Sequence, residues 1–319
     1  MAFRLSDTDI RQLYVFRAVV ECRGFTAAQS VLNIGQSTIS SQMSQLETRL
    51  GIRLCERGRT GFELTAKGKQ VYEETLKLFR SHEDFQNKTA ELKGRLSGFL
   101  NIAVIDNVVT DPNCPIVDAL SSFNDRGHEV SIRLDILTPG DIERGLLDND
   151  LDVAVGTFHN QVPGLDYRSI YVEHNELMCG AKHPLYYERE KQIIREGIAD
   201  ARKVTRAYLD KRDLFPLGPD EGGPVASVQS LEASAILILA NGHIGFLPHH
   251  FAANWLDRGE MKVILPSEFT YSSEFSIVIR KSPRQSLILQ TFLKDLYLAA
   301  KPDNAAMAQN PDSMNRLSA

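Results

Sequence analysis

Five short polar side chains, Gln36, Ser37, Thr38, Ser40 and Ser41, fill the positions left free where Ile39, Met43, Leu46 and Leu50 recur at spacings of four, three and four. That apolar rhythm predicts a helix over about residues 36–50 with one buried stripe. The opposite face is lined with amides and hydroxyls and carries little charge. A helix of this kind fits a DNA major groove, where Gln hydrogen-bonds adenine and Ser or Thr accommodates several bases. Its N-terminus offers free N–H groups to a phosphate. Thr26, at the start of a preceding short helical pattern, is placed to cap that helix and face the same polyanion. Arg57 and Arg59, around the turn Gly58-Arg59-Thr60-Gly61, would reach the flanking backbone or the minor groove.

A second set of residues fits small-molecule binding. Ligands of open α/β sheets sit beyond the carboxyl ends of strands, where loops and helix N-termini converge. Four places match: Asp106-Asn107 after a strand, Thr138-Pro139-Gly140 opening a helix, Thr205-Arg206 after another strand, and Ser227 to Ser230 before a helix. Thr138 followed by Pro139 is a helix-start signal that leaves N–H groups for a carboxylate. Arg206 is the natural partner of an anionic ligand, whereas Asp106 opposes a small anion and suits an amine or hydroxyl.

Other chemistry finds little support. There is no G-x-S-x-G, P-loop or G-x-G-x-x-G motif, so neither catalysis nor a cofactor is expected. Cys22, Cys55, Cys114 and Cys179 are scattered without a C-x-x-C pair, against both a disulfide framework and a zinc site. His249 and His250 adjoin on a helical stretch and have no carboxylate at ligand spacing in sequence, so no metal site is expected. No apolar run approaches the ~18 residues of a membrane span, and the N-terminus has no signal-peptide core, which predicts a cytoplasmic protein without a membrane partner.

The elements that must position these residues follow from pattern. Ser6 to Asp9 supply N-caps for a first helix carrying Ile10, Leu13, Phe16 and Val20, and the Ala27-Ala28 pair lets another helix approach the second. A hairpin is expected over Leu54–Arg57 and Phe62–Leu64, so residues 1–65 read as a winged helix-turn-helix. Thr65 caps a long helix over 66–97, in which Val71, Leu78, Phe85 and Leu92 repeat every seven residues with Thr75, His82, Thr89 and Leu96 between them. This is a weakly apolar coiled-coil seam for dimerisation, with His82 as a polar register residue. From Gly98 strands and helices alternate, as in a parallel sheet with covered faces. Strands are expected at Leu100–Ile105, Val130–Ile136, Leu151–Val155, Leu177–Gly180, Lys203–Tyr208, Ile244–Leu247 and Glu274–Ile279. Helices are expected near Ile116–Phe123, Ile142–Leu147, Tyr187–Ile194, Ser230–Asn241, His249–Asp257 and Leu287–Leu298. The chain crosses twice between two hinged Rossmann-like subdomains, 98–165 with 267–300 and 166–266, and the tail 301–319 is expected to be disordered.

The net charge of −5 argues against a nucleic-acid partner until it is divided. Residues 1–95 hold 15 Lys/Arg against 11 Asp/Glu, and the remainder 21 against 30. The basic excess therefore lies with the N-terminal head and the linker helix, where phosphates would be met.

The order Phe25-Thr26-Ala27-Ala28-Gln29-Ser30, Gln36-Ser37-Thr38-Ile39-Ser40, Leu46-Glu47-Thr48-Arg49-Leu50-Gly51, Leu54-Cys55-Glu56-Arg57 and Leu64-Thr65-Ala66-Lys67-Gly68 resembles the N-terminal signature of LysR-type transcriptional regulators. Leu151-Asp152-Val153-Ala154-Val155, His183-Pro184-Leu185 and Gly242 to Pro248 are similar to that family's effector-binding domain, whose fold is like that of periplasmic solute-binding proteins. The resemblance spans about residues 6–298. It implies a regulator that binds an inverted-repeat operator in double-stranded DNA, dimerises through the linker helix, assembles as a tetramer, answers to a small-molecule effector and contacts RNA polymerase. Two positions depart from the family pattern: Ser41 stands where Arg or Lys is frequent, and Cys55 where Phe is usual. Two rival readings stay open at this point, a cytosolic α/β solute-binding protein or enzyme with an N-terminal interaction module, and a regulator that responds to oxidation.

Overall fold

Ser6 starts the first helix of the computed structural model, which describes residues 4–58, 61–93, 95–207 and 225–300. The chain divides into two units, Met1–Gln86 and Asn87–Ala319. In the first unit, α1 (Asp7–Glu21) opens with a capping box: the Ser6 hydroxyl accepts from the Asp9 amide, and Asp9 Oδ2 accepts from the Ser6 amide at 2.7 Å. Asp9 is fully buried and ion-paired with Arg49. Burial pushes its carboxyl up, but hydrogen bonds from Ser6 and Arg49 outweigh that and hold it below the usual carboxylate value.

The second helix, α2 (Phe25–Leu32), begins one residue earlier than expected. Gly24, at φ 159°, carries no side-chain cap and its carbonyl already accepts from the Ala28 amide. Thr26 therefore lies within the first turn, exposed, and does not cap the helix. Asn33 closes α2 in the left-handed region (φ 53°, ψ 37°) and turns the chain into α3 (Gln36–Leu50). A hairpin of β1 (Cys55–Gly58) and β2 (Gly61–Leu64) follows, with Cys55 opposite Leu64. Phe16, Ala28, Ile39, Met43, Leu46 and Leu54 form the centre of the core, fully removed from water.

Thr65 caps α4 (Ala66–Leu92), accepting from the Gly68 amide at 2.8 Å and donating to the Arg53 carbonyl at 2.7 Å. Gly68 is required here, since a Cβ would lie 1.9 Å from the Leu54 carbonyl oxygen. Along α4 the seven-residue repeat has two fates. Val71 and Leu78 pack partly against the core of the first unit, and Thr75 and Phe79 are buried there. Phe85 and Leu92 are 68% and 88% exposed.

Among the described residues, the second unit is built on one nine-stranded mixed sheet. β3 (Ser97–Val104), β4 (Glu129–Ile136) and β5 (Val153–Thr157) pair in parallel, β4 forming the edge. They are covered by α5 (Ile116–Asn124), α6 (Pro139–Leu147) and α10 (Leu287–Ala299) around Phe123, Ile142 and Phe292. A second parallel set consists of β7 (Lys203–Arg206), β8 (Val225–Val228) and β9 (Ile244–Pro248). It packs with α7 (Lys191–Asp200), α8 (Leu231–Leu239) and α9 (His249–Asp257) around Met178, Ile238 and Ile244. Two long antiparallel strands, β6 (Leu165–Gly180) and β11 (Thr270–Arg280), run through both lobes and are the two crossings. The short β10 (Met261–Val263) pairs with β6.

Three expectations need correction. The helix expected near Tyr187–Ile194 lies at Lys191–Asp200, because the Glu188 carboxylate accepts from the Arg189 and Glu190 amides and fixes a turn where the helix would have run. The short strands β8 and β10 were not foreseen, having too few residues to show alternation. The sheet is mixed, not parallel throughout. Tyr208, placed in a strand by pattern, and the tail 301–319 lie outside the described residues, as does Arg59. No helix among the described residues is long and apolar enough to cross a membrane.

Candidate functional site

Helix α3 is built as its sequence dictates. Ile39, Met43 and Leu46 of α3 are buried, while Gln36, Ser37, Thr38 and Ser41 are exposed and Ser40 is half-buried. Four residues to which sequence reasoning gave no role hold the helix in place. Gln29 Oε1 accepts from the Gln36 amide at 3.2 Å, taking up one of the free N–H groups at the start of α3. The buried Gln12 donates to Gln45 Oε1 at 2.9 Å, and Gln45 reaches Ser41 Oγ at 3.3 Å. Glu47 Oε1 accepts from the Leu54 amide at 2.7 Å and the Cys55 amide at 3.2 Å, which ties α3 to the hairpin. Gln29 and Glu47 lie within a turn of a helix end, which could have signalled them, whereas Gln12 lies inside α1 and gave no such signal. Arg57 lies in β1 opposite Phe62. Cys55 is buried in the core, as its apolar neighbours predict.

In the second unit the four expected loops all stand at carboxyl ends of strands. The parallel register of Val104 with Ile136 puts Asp106 and Thr138 at the same end of the first lobe. Thr205 lies beside Ser227 between β7 and β8. Asn107 is in the left-handed region, at φ 66°. Thr138 does cap α6, accepting from the Asp141 amide and donating to Asp141 Oδ2 at 2.7 Å. The α6 N-terminus thus carries its own acid, which competes with any anion; Pro139 is buried and Gly140 exposed.

The main correction concerns Arg206 and Asp106, expected to recognise opposite ligands. They are ion-paired with each other, their side chains 14% and 11% exposed. Asp106 Oδ2 also accepts from the Leu231 amide at 2.7 Å, at the N-terminus of α8. Asp106 belongs to the first lobe and both partners to the second, so one carboxylate joins the lobes.

A further cluster lies where the chain crosses between lobes. His250 Nε2 is 2.9 Å from Glu173 Oε1 and 3.7 Å from Asp111 Oδ2, and His249 Nδ1 is 2.7 Å from Glu176 Oε2. The expectation that these histidines have no carboxylate in reach is overturned: the fold brings the acids from β6 and from the loop after β3. The four cysteines are free. Burial pushes the Cys114 thiol up and the Cys179 thiol up to about 11, which keeps both out of the reactive thiolate form.

Comparison with known proteins decides the family. Residues 10–69 match the family described as bacterial regulatory helix-turn-helix protein, lysR family. Residues 93–297 match the LysR substrate binding domain. The chain belongs to the LysR family. It is 39% identical over 291 residues to the HTH-type transcriptional activator BauR of Pseudomonas aeruginosa, covering 91% of this chain and 95% of that one. In fold it is similar to the LysR regulator CbnR, with a TM-score of 0.65 at 22% identity over 92% of this chain and 99% of that one. Full-length CbnR in complex with its target DNA gives 0.63 at 22% identity, over 91% and 99%. As a LysR-type protein the chain is a DNA-binding transcriptional regulator with an effector-binding domain.

Proposed function

We propose that the effector of this regulator enters between the lobes at Asp106 and Arg206, with Asn107, Thr138, Pro139, Gly140, Thr205 and Ser227 around it. The observation that carries this reading is the Asp106 carboxylate bridging Arg206 and the Leu231 amide across the lobes. An effector carboxylate at Arg206 and the α8 N-terminus displaces Asp106 and leaves it half-buried without a counter-ion, an arrangement that costs several kcal/mol unless compensated. The ligand that satisfies both halves carries an acid and an amine close together. The lobes then change their relation by population shift, set by the effector's differential affinity for the two arrangements.

On this reading Gln36, Ser37, Thr38 and Ser40 face base edges of an inverted-repeat operator, while Thr26, Ser41, Arg57 and Arg59 meet the backbone or the minor groove. Two chains pair through α4. Of the seam residues, Phe85 and Leu92 offer the exposed surface, while Val71 and Leu78 serve partly the core of their own unit. Four chains form the assembly, RNA polymerase is the downstream partner, and likeness to the Pseudomonas aeruginosa activator supports activation as the sign of control.

A thermal-shift screen of small acids, amines and amino acids tests the effector site. A zwitterion should stabilise the wild type, and Arg206→Ala should remove that shift. An undiminished shift in Arg206→Ala places the effector elsewhere.

A further inference from the structure

Asp111, Glu173 and His250 each present one ligand atom to a common point, the three atoms lying within 4.8 Å of one another. In each residue the other polar atom is already engaged. Thr110 Oγ1 sits 2.9 Å from His250 Nδ1, which leaves Nε2 facing inward. Asp111 Oδ1 accepts from the Asn113 amide at 2.9 Å, and Glu173 Oε2 from Asn175 Nδ2 at 3.2 Å. Engagement of the outer atom of each ligand is how metal-binding residues are oriented.

Two further observations point to a missing occupant. Asp111 Oδ2, on a side chain 2% exposed, has no well-aligned hydrogen-bond partner among the described residues. The buried hydroxyl of Tyr171, whose ring is held by stacking on Phe275 at 4.5 Å, lies beside Asp111 at the edge of the same cluster. Buried polar groups are normally satisfied, and an exception calls for an ion or water to complete it. A tetrahedral ion with bonds of ~2.1 Å holds its ligands about 3.4 Å apart. The His250 Nε2 separations of 2.9 and 3.7 Å bracket that value.

We propose that Asp111, Glu173 and His250 form a site for a divalent transition-metal ion. The donor set of two carboxylates and one imidazole suits Zn²⁺ or Mn²⁺ over Ca²⁺, which takes oxygen ligands in larger number. The ligands come from the loop after β3, from the crossing strand β6 and from the first turn of α9. A bound ion therefore ties both lobes to the strand that joins them. The site is distinct from Asp106 and Arg206 and does not depend on the effector reading.

Calorimetric titration of the chelator-treated full chain with ZnCl₂, in a Cys22→Ser background that removes the half-exposed thiol, tests the proposal. One saturable site per chain is expected, weakened at least tenfold by His250→Ala and by Glu173→Gln and unchanged by His249→Ala. Co²⁺ added to the Cys22→Ser protein should give the visible bands of nitrogen and oxygen ligation without thiolate charge transfer, a readout that stands if a ligand variant fails to fold. Absence of saturable Zn²⁺ binding, affinity undiminished in His250→Ala and Glu173→Gln, or a thiolate Co²⁺ spectrum would overturn it; the second of these identifies an adventitious ion only.

Discussion

Asp106 meets Arg206 and the Leu231 amide at once, so removing its charge alters both lobes. Asp106→Asn should weaken the lobe contact in the absence of effector and shift activity toward the effector-bound level; a reporter assay without effector checks this, and unchanged basal activity counts against the contact. Asp9 gives a prediction about pH. Its folded value is lowered, so its stabilisation is present above the unfolded value of about 3.9 and is lost as pH falls through the lower folded one. Melting of the first unit followed from pH 7 to pH 3 should show that loss, and Asp9→Asn should flatten it. The residue types at both sites were legible in the sequence. The pairing of Asp106 with Arg206, a hundred residues apart, was not, because it depends on how two lobes meet and no local pattern encodes that.

The helix α3 was legible to the residue, since its apolar spacing, Gly35 before it and Gly51 after it are all local signals. α7 was displaced because one side chain, Glu188, settled the local backbone hydrogen bonds differently. Replacing Gln36 or Ser40 by Ala should leave the fold intact and cost roughly 1–3 kcal/mol of discrimination at the base each reads. Gel-shift titrations against operator and scrambled DNA measure this, and equal discrimination would remove these residues from the base-reading face. Gly68→Ala forces a Cβ into the Leu54 carbonyl, so the start of α4 must separate from the hairpin. A fall in melting temperature is expected, and an unchanged one would show that the close approach can relax freely. Within the second unit, Asn87 accepts from the Phe99 amide at 3.0 Å and donates to its carbonyl at 3.2 Å, a two-bond contact with a strand that only the fold reveals.

At the scale of the molecule, the charge division is the clearest sign the sequence offered: basic where DNA is read, acidic where the effector binds. The two crossings were expected from the order of elements, but the cluster of Asp111, Glu173 and His250 was hidden because its members meet only where β6 runs between the lobes. Exposure of Phe85 and Leu92 predicts that their joint replacement by Lys shifts the assembly to smaller species in light scattering, and an unchanged mass would move the dimer contact off this seam. The central claim is that an effector acting at Arg206 governs how the chain sits on DNA, and DNase I footprinting upstream of its own gene, with and without an effector found by screening, tests it most directly. The wild type should protect an inverted repeat whose pattern changes with effector, while Arg206→Ala should protect the same repeat without that change. Absence of any protected repeat, or an effector-dependent change that survives in Arg206→Ala, would contradict it.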